Sequence, residues 1–330
     1  MELSVKLKER FCRDANIPIR LFREPYFSER LKLYDPFYGT QQKWDRFVEE
    51  VQKYEYEQDY FEEYNRVKDA AITDIKNSQG YQRFCEEDMS AFQIKNTGLP
   101  AKDIYRTGND GNRYIGIDMR KANFSSLYYY DPDIFGGADS WEAFIARYTQ
   151  IQHIVESKYI REVIFGNCNP RRHISYEKFL VDQFLTKCIE EEKLFTADRV
   201  KLFSNDEIMV DVTDLDQDAC SILLQQIQSL TMTAQIPLKA ETFILRKAEG
   251  MDGYYKEVIS SDGKTDIVFK CLDHYMLPFV MRKLLGQEIE ESDTVFYHEG
   301  QLAKFIEWQG RSCEAAAGKK REHLMLSLAE

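Results

Sequence analysis

The first part of the chain repeats apolar residues at helical spacing. In the clearest stretch they stand among Glu, Gln and Lys, at Trp44, Val48, Val51, Phe61 and Tyr64. One apolar stripe beside a polar surface is typical of amphipathic helices packed on a core. The pattern therefore predicts helices from residue 1 to about residue 95, and the turn-forming sequence at residues 96–100 ends this region.

The next stretch changes to the pattern of strands. Two short apolar segments flank the turn sequence at residues 107–112, which predicts a strand, a tight loop and a second strand that ends at Asp118. Ser140 is the expected N-cap of a helix that begins at Trp141. Helical patterns are expected over residues 141–153, 158–165 and 176–194.

A later hairpin carries acidic residues in its turn. Residues 200–203 and 207–212 alternate between apolar and polar positions. Asp206 stands in the turn between these two segments, and Glu207 is the first residue of the second one. The segments expected to follow are a helix at residues 216–234, a strand at 236–245, a hairpin around 261–264, another helix and a polar, fraying tail at 315–323.

This order of elements predicts an α+β protein, with an antiparallel sheet that has helices packed on one face. We expect a helical N-terminal region at residues 1–95, the sheet region at 96–248 with a helical insertion at about 140–195, and a small α+β extension at 249–330. A length of 330 residues allows one elaborate domain or two smaller ones.

Composition narrows the class of protein. With 43% hydrophobic and 30% charged residues the chain is globular, and its apolar runs fall short of the roughly 20 residues that cross a bilayer, so no membrane partner is expected. The seven cysteines include no C-x-x-C pair, and no secretory signal is recognised. We therefore expect reduced thiols and a cytoplasmic location.

Charge restricts how nucleic acid could bind. A net charge of −12 counts against phosphate binding over the whole surface, so any such contact must be local. Residues 158–172 form a basic exception. This segment contains four cationic residues, Lys158, Arg161, Arg171 and Arg172, and one acidic residue, Glu162.

The two acidic sites suggest metal-dependent chemistry. Carboxylates on neighbouring strands can hold two divalent ions about 4 Å apart, the arrangement that phosphoryl transfer by two metals needs. Mg²⁺ suits such oxygen ligands, and Mn²⁺ can replace it. We expect Asp118 and Asp206 to bind the metal, with Glu207 as a third catalytic residue. Singly, an Asp at a strand end or in a turn is more often structural.

Two segments together resemble family A DNA polymerases. The first, YIGIDMRKANFSSL with Asp118 at the end of its strand, resembles their motif A. The second, SNDEIMVDV with Asp206 and Glu207, resembles their motif C, and IPLKAE around Lys239 is similar to the strand that follows it in the family. The resemblance covers about residues 104–246. It implies a polymerase palm, with the N-terminal helices in the place of a thumb.

Further site residues follow from the same resemblance. KYIREVIFG is similar to the fingers helix of motif B, which implies that Lys158, Arg161 and Phe165 bind the incoming NTP or dNTP. Asn123 stands where related palms hold the gate that excludes a ribose 2′-hydroxyl, so we expect ribonucleotides to be accepted. Apart from the resemblance, their positive charge leads us to expect template phosphates at Arg171 and Arg172 and primer phosphates at Lys239.

The chain also departs from the family. Asn205 replaces the histidine of the His-Asp-Glu hairpin, and only about 40 residues separate the motif B and motif C segments, so the fingers are reduced. This compactness is similar to reverse-transcriptase palms. The hypotheses are therefore a template-dependent nucleotidyltransferase of DNA polymerase or primase type, a reverse-transcriptase-like or template-independent polymerase, and a degenerate palm that serves as a binding or assembly subunit of a replication or defence complex.

Overall fold

The N-terminal part of the chain is helical, as predicted. The computed structural model describes residues 3–101, 104–259, 264–298, 300–305 and 326–328. Buried side chains such as Phe47, Tyr60 and Val67 form the inner stripe of these helices. The helices are α1 (Val5–Asp14), α2 (Tyr26–Tyr38), α3 (Thr40–Val51), α4 (Glu57–Asn77) and α5 (Gln79–Glu86).

A six-stranded antiparallel sheet follows, which confirms the predicted α+β class. Its strands are β1 (Arg113–Met119), β2 (Val200–Phe203), β3 (Glu207–Asp211), β4 (Leu238–Lys247), β5 (Tyr254–Ile259) and β6 (Thr265–Lys270). They lie in the order β2-β3-β1-β4-β5-β6. The first four strands, with helices after β1 and β3, have the β-α-β-β-α-β connectivity of ferredoxin-like units.

The helices that connect these strands pack on one face of the sheet. On that face Ile115, Ile117 and Val210 join the main core together with side chains of the connecting helices. The opposite face carries a smaller cluster that includes Tyr114, Met209 and Phe243. The connecting helices are α6 (Ala122–Tyr130), α7 (Trp141–Ile145), α8 (Gln152–Glu156), α9 (Lys158–Gly166), α10 (Pro170–Thr186) and α11 (Gln217–Ala234).

One hydrophobic core joins the regions that the sequence separated at residues 95 and 248. Its buried members run from Leu3 in the N-terminal region to Met281 in the C-terminal one. A buried ion pair adds to this connection, since Arg30 Nη1 on α2 lies 2.7 Å from Asp293 Oδ1. The C-terminal elements are α12 (Leu277–Leu284), β7 (Val295–His298), β8 (Gln301–Phe305) and β9 (Leu326–Leu328).

A buried carboxylate ties the N-terminal helices to α8 and α9. Asp14 Oδ1 accepts hydrogen bonds from Tyr64 Oη at 2.9 Å and from Ser157 Oγ at 2.7 Å. Its Oδ2 lies 3.1 Å from His153 Nε2, a histidine to which the sequence suggested no role. The packing of α1 against α4, α8 and α9 is therefore specified by polar contacts as well as by apolar ones.

Several local predictions need correction. Residues 104–106 form no strand, because the backbone turns there, with the Arg106 amide donating to the Ile104 carbonyl at 2.8 Å. Ser140 caps its helix as predicted, but α7 ends at Ile145 and α8 starts anew at Gln152. The tail at residues 315–323 and the turn at 260–263 lie outside the described residues, although β5 and β6 on either side of the turn pair antiparallel, as expected of a hairpin.

The thiols match the prediction where they are described. Among the described residues, the thiols of Cys12, Cys85, Cys168, Cys188 and Cys220 are free, and all of these except Cys85 are buried. Burial raises the pKa of the Cys168 thiol to about 11, which keeps it protonated at neutral pH. Cys12, Cys168, Cys188 and Cys220 are packing residues of the main hydrophobic core.

Candidate active site

Asp118 and Glu207 meet across two adjacent strands. They are opposite residues of β1 and β3, and Lys239 of β4 is opposite Asp118 on its other side. Opposite residues in an antiparallel pair project their side chains to the same face. This face is the one that the helices leave open. Asp206 stands one residue before β3, and its carbonyl accepts a hydrogen bond from the Met119 amide at 2.9 Å.

The proton affinity of Asp118 reflects this crowding of negative charge. Solvent reaches its side chain, yet the surrounding protein displaces much of the bulk water. This desolvation first, and then the charges of Glu207 and Asp206, raise the pKa of Asp118 to about 6, against the opposing effect of Lys256 and Lys270. The carboxylate is thus mostly ionised at neutral pH, but a proton neutralises it at a higher pH than it does an ordinary aspartate.

Asp206 is affected in the same direction. Desolvation and the charge of Glu207 raise its pKa, while the positive charge of Lys270 lowers it. Among the described residues, neither Asp118 nor Asp206 takes part in an ion pair. Two carboxylates that share one end of the sheet, without a direct ion pair in the described part of the chain, are a suitable place for an external cation.

Glu207 differs because it already has a cation. Lys256 Nζ of β5 lies 2.8 Å from Glu207 Oε1, and the lysine side chain is only 9% exposed. The same ammonium group lies 4.5 Å from the centre of the Phe243 ring. Glu207 is therefore oriented by a largely buried ion pair through Oε1, and its Oε2 has no hydrogen bond to the described residues.

Glu177 is an acidic residue that the sequence interpretation missed. It lies on α10, is 7% exposed and has no hydrogen bond or ion pair within the described part of the chain. Burial first, and then the charge of Asp206, raise its pKa to about 7. A signal existed in the sequence, because Glu177 stands on the apolar stripe that His173, Leu180 and Val181 define on this helix.

Lys256 and Lys270 were missed as well. Lys256 stands at alternate positions with Tyr254 and Val258, so the period of a strand would have placed it on their buried face. Its contact with Glu207 joins two residues that are 49 positions apart in sequence and stand on different strands, and no local pattern indicates such a contact.

The residues assigned to motif B lie in three different surroundings. Lys158 Nζ is 3.5 Å from Glu162 Oε1 and borders a pocket with His153 rather than the acidic residues. Arg161 is half-buried, with Nε lacking a hydrogen-bond partner, and burial lowers the pKa of its guanidinium group. Phe165 is 3% exposed and packs in the core with its ring 5.6 Å from that of Trp141.

The three residues that were expected to contact nucleic acid also lie in different surroundings. Arg172 is buried, donates to the Glu87 carbonyl and lies over the rings of Phe84 and Phe92, so it stabilises the fold. Arg171 is exposed at the start of α10. Lys239 is exposed beside Asp118 and forms an ion pair with Glu241. Of the three, Lys239 is the cation that the sheet places at the acidic residues.

Asn123 lies in the first turn of α6, the helix that follows β1. Its Oδ1 accepts a hydrogen bond from the Phe124 amide at 3.0 Å. The reversal between strand and helix depends on Lys121, whose backbone is left-handed with φ of 49°. Lys121 Nζ in turn lies 2.6 Å from Glu142 Oε1. The turn thus places Asn123 at the start of the helix that directly follows the strand of Asp118.

The carboxylate oxygens of the site are the type of ligand that a hard divalent cation prefers. Within the described residues no group of three or more His, Cys, Asp or Glu side chains is assembled for a metal. Mg²⁺, however, commonly binds through one or two carboxylates, waters and substrate phosphates, so a complete protein cage is not required. Asp118 and Asp206 are the residues that could hold it.

Comparison of the chain with protein-family models, with curated proteins and with solved structures gave no match. Across the described residues, the helices are all too short or too polar to cross a bilayer. The function must therefore be argued from the site itself.

Proposed function

We propose that the chain is a template-dependent nucleotidyltransferase whose sheet is a polymerase palm. The observation that carries the proposal is the register of β1 and β3, with Asp118 opposite Glu207 and Asp206 next to it. The two segments that resemble polymerase motifs are far apart in sequence, yet their acidic residues meet on the open face of one sheet. This is the relation that the motif resemblance requires.

The site supports metal-dependent transfer of a nucleotide. Asp118 and Asp206 would hold Mg²⁺, or Mn²⁺ in its place, and their raised pKa values mark a negative field that a cation relieves. When bound, the metal supplies activation of the primer 3′-hydroxyl and charge neutralisation of the leaving pyrophosphate. Glu207, fixed by Lys256, supports the two ligands electrostatically, and Lys239 faces the same surface.

One observation favours a second candidate, a palm without catalytic activity. The pairing of Glu207 with Lys256 removes one carboxylate from the site, and no metal group is assembled among the described residues. Such a palm would bind nucleic acid or assemble with subunits of a replication or defence complex in the cytoplasm. In that case substitution of Asp118 or Asp206 would leave the assembly intact.

Primer extension tests the proposal. The purified chain is incubated with Mg²⁺ or Mn²⁺, a primed template and NTPs or dNTPs, beside Asp206→Asn and a control, Asp214→Asn, that lies at an exposed ion pair with Arg199. We expect extension by the wild type and the control, and a loss of at least about a hundredfold in Asp206→Asn. Equal inactivity of all three proteins under every condition would refute the catalytic proposal.

The template requirement is measured in the same assay. DNA templates, RNA templates and reactions without template separate a DNA-directed polymerase from a reverse-transcriptase-like or template-independent one. We expect products whose sequence is complementary to the template. Products of equal yield without template would favour the template-independent alternative.

A further inference from the structure

A large cleft lies between the N-terminal helices and the edge strand β6. Its volume is about 950 Å³. One wall is formed by α1, α2 and the segment between them, the other by β6, whose residues Thr265–Lys270 all line it. This volume lies in the upper part of the range for small-molecule sites, which is roughly 300–1,000 Å³.

Two cations in this cleft have no partner among the described residues. Arg20 and Lys270 form no ion pair and no side-chain hydrogen bond there, whereas Arg13, a third cation of the lining, lies 2.5 Å from Glu9. Of the carboxylates in the lining, Glu162 faces Lys158 at 3.5 Å, and Asp266 is exposed. Uncompensated Arg and Lys side chains are the groups that bind phosphate oxygens.

The cleft also presents aromatic rings. Phe37, Tyr38 and Tyr159 line it and are each half-buried. Phe37 packs edge-on against Phe269 at 5.3 Å between ring centres, which holds it in place on the cleft wall. Fixed rings beside cations suit a ligand with a planar base at one end and phosphates at the other.

Lys270 connects the cleft to the acidic residues. Lys270 is opposite Tyr254 in the pairing of β6 with β5, so its side chain projects to the same face of the sheet as Tyr254 and Lys256, the lysine that contacts Glu207. A phosphate held by Lys270 would therefore lie on the face of the sheet that carries the acidic residues. Lys158 and Phe165, by contrast, point into a separate pocket and into the core.

We propose that this cleft is the site for the nucleoside triphosphate, with Arg20 and Lys270 holding the phosphates and the aromatic wall receiving the base. The inference rests on the proposed nucleotidyl transfer and replaces the fingers helix as the source of triphosphate contacts. It assigns specificity for nucleotides to α2 and β6, which lie outside the segments that resemble polymerase motifs.

Binding of an α,β-methylene nucleoside triphosphate, measured by calorimetry without primer or template, tests the assignment. Each of Arg20→Ala and Lys270→Ala is expected to raise the dissociation constant about tenfold or more, since each removes a charge-assisted contact to phosphate. Lys32→Ala is the matched control, because Lys32 is exposed on α2 and does not line the cleft. Circular dichroism and melting confirm that the variants are folded.

A second measurement does not depend on variants. An azido-purine triphosphate is photocrosslinked to the wild-type chain, and the labelled peptides are mapped. Labels on residues 36–38 or on Tyr159 support the assignment. Labels confined to other surfaces, unchanged affinity in both cleft variants, or no triphosphate binding at all would overturn it. Stronger displacement by a single-stranded oligonucleotide than by the free nucleotide would also overturn it, because the cleft would then hold a strand.

These outcomes are separable from those of primer extension. Extension that is lost in Asp206→Asn, with normal triphosphate affinity in both cleft variants, would remove only the cleft assignment. Triphosphate binding in the cleft by a protein that extends no primer would remove only the polymerase proposal.

Discussion

Lys256 Nζ lies 2.8 Å from Glu207 Oε1, although β1 and β4 separate the strands that carry these residues. Adjacent strands are about 4.8 Å apart, so a flat sheet would keep β3 and β5 roughly 14 Å from each other. Along β4 the level of Glu207 is at Lys239 and that of Lys256 is at Leu245, so a flat sheet would also offset the two residues by roughly 20 Å along the strands. The two side chains cannot reach across this diagonal, so their contact requires the sheet to curl toward its open face. The curl encloses the cluster of Tyr114, Met209 and Phe243 and brings a lysine to the acidic site.

Replacement of Lys256 by methionine is expected to destabilise the fold. The substitution keeps most of the packing on Phe243 but leaves Glu207 without its cation in a partly desolvated place. We expect a loss of about 2 kcal/mol in the free energy of unfolding, measured by urea denaturation. Lys201→Met, at an exposed lysine of β2, is the control. The double variant Lys256→Met with Glu207→Gln should recover part of the loss, and no recovery would contradict the pairing.

Replacement of Glu177 by glutamine is expected to stabilise the protein above neutral pH. The folded pKa of about 7 exceeds the ordinary value of 4.5, so between these values the native state binds more protons than the unfolded chain. Stability contributed by this group therefore falls as pH rises from about 4.5 to about 7. Glu177→Gln should remove that fall and gain on the order of 2 kcal/mol at pH 8.

The measurement is the melting temperature as a function of pH. Glu86→Gln serves as control, since Glu86 is exposed and its replacement should leave the profile unchanged. Parallel profiles for wild type and Glu177→Gln between pH 5 and 8 would show that the carboxylate is not buried as described.

Metal affinity should depend on the protonation of Asp118. A divalent cation must displace the proton from this carboxyl, whose pKa is about 6. Affinity for Mn²⁺, followed by electron paramagnetic resonance of the free ion, should be constant above about pH 7 and fall about tenfold per pH unit below 6. Asp118→Asn should bind weakly at all these pH values. An affinity independent of pH from 5 to 7 would exclude Asp118 as a ligand.

Asn123 is expected to permit ribonucleotides. Its side chain is short and can both donate and accept a hydrogen bond, which tolerates a 2′-hydroxyl. Asn123→Glu should lower kcat/KM for NTPs relative to dNTPs by about tenfold, a change of about 1.4 kcal/mol in discrimination. Asn167→Glu, at an exposed position at the end of α9, is the control. A wild type that strongly prefers dNTPs would contradict the hypothesis.

Local patterns along the chain determined most of the secondary structure. Helical spacing in the first 95 residues, alternation in β2 and β3 and the helix expected at residues 216–234 all correspond to described elements. These signals are local, since a helix or hairpin is specified by residues within a few positions of one another. The errors lie at Ile104 and after Ile145, where the backbone turns, and at α10, which begins at Pro170 rather than at residue 176.

The sequence predicted one part of the candidate site, and the tertiary structure decided the rest. The sequence by itself determined that Asp118 would end a strand and that Asp206 and Glu207 would stand at a hairpin, because strand periodicity and turn chemistry are local. Only the tertiary structure decided that Glu177 is buried beside Asp206, that Lys256 holds Glu207 and that Arg172 and Phe165 serve packing. Those relations depend on sheet order, curl and helix packing, which arise from contacts between residues distant in the chain. The spacing of Glu177 and Lys256 indicates a buried face for each but does not indicate their partners.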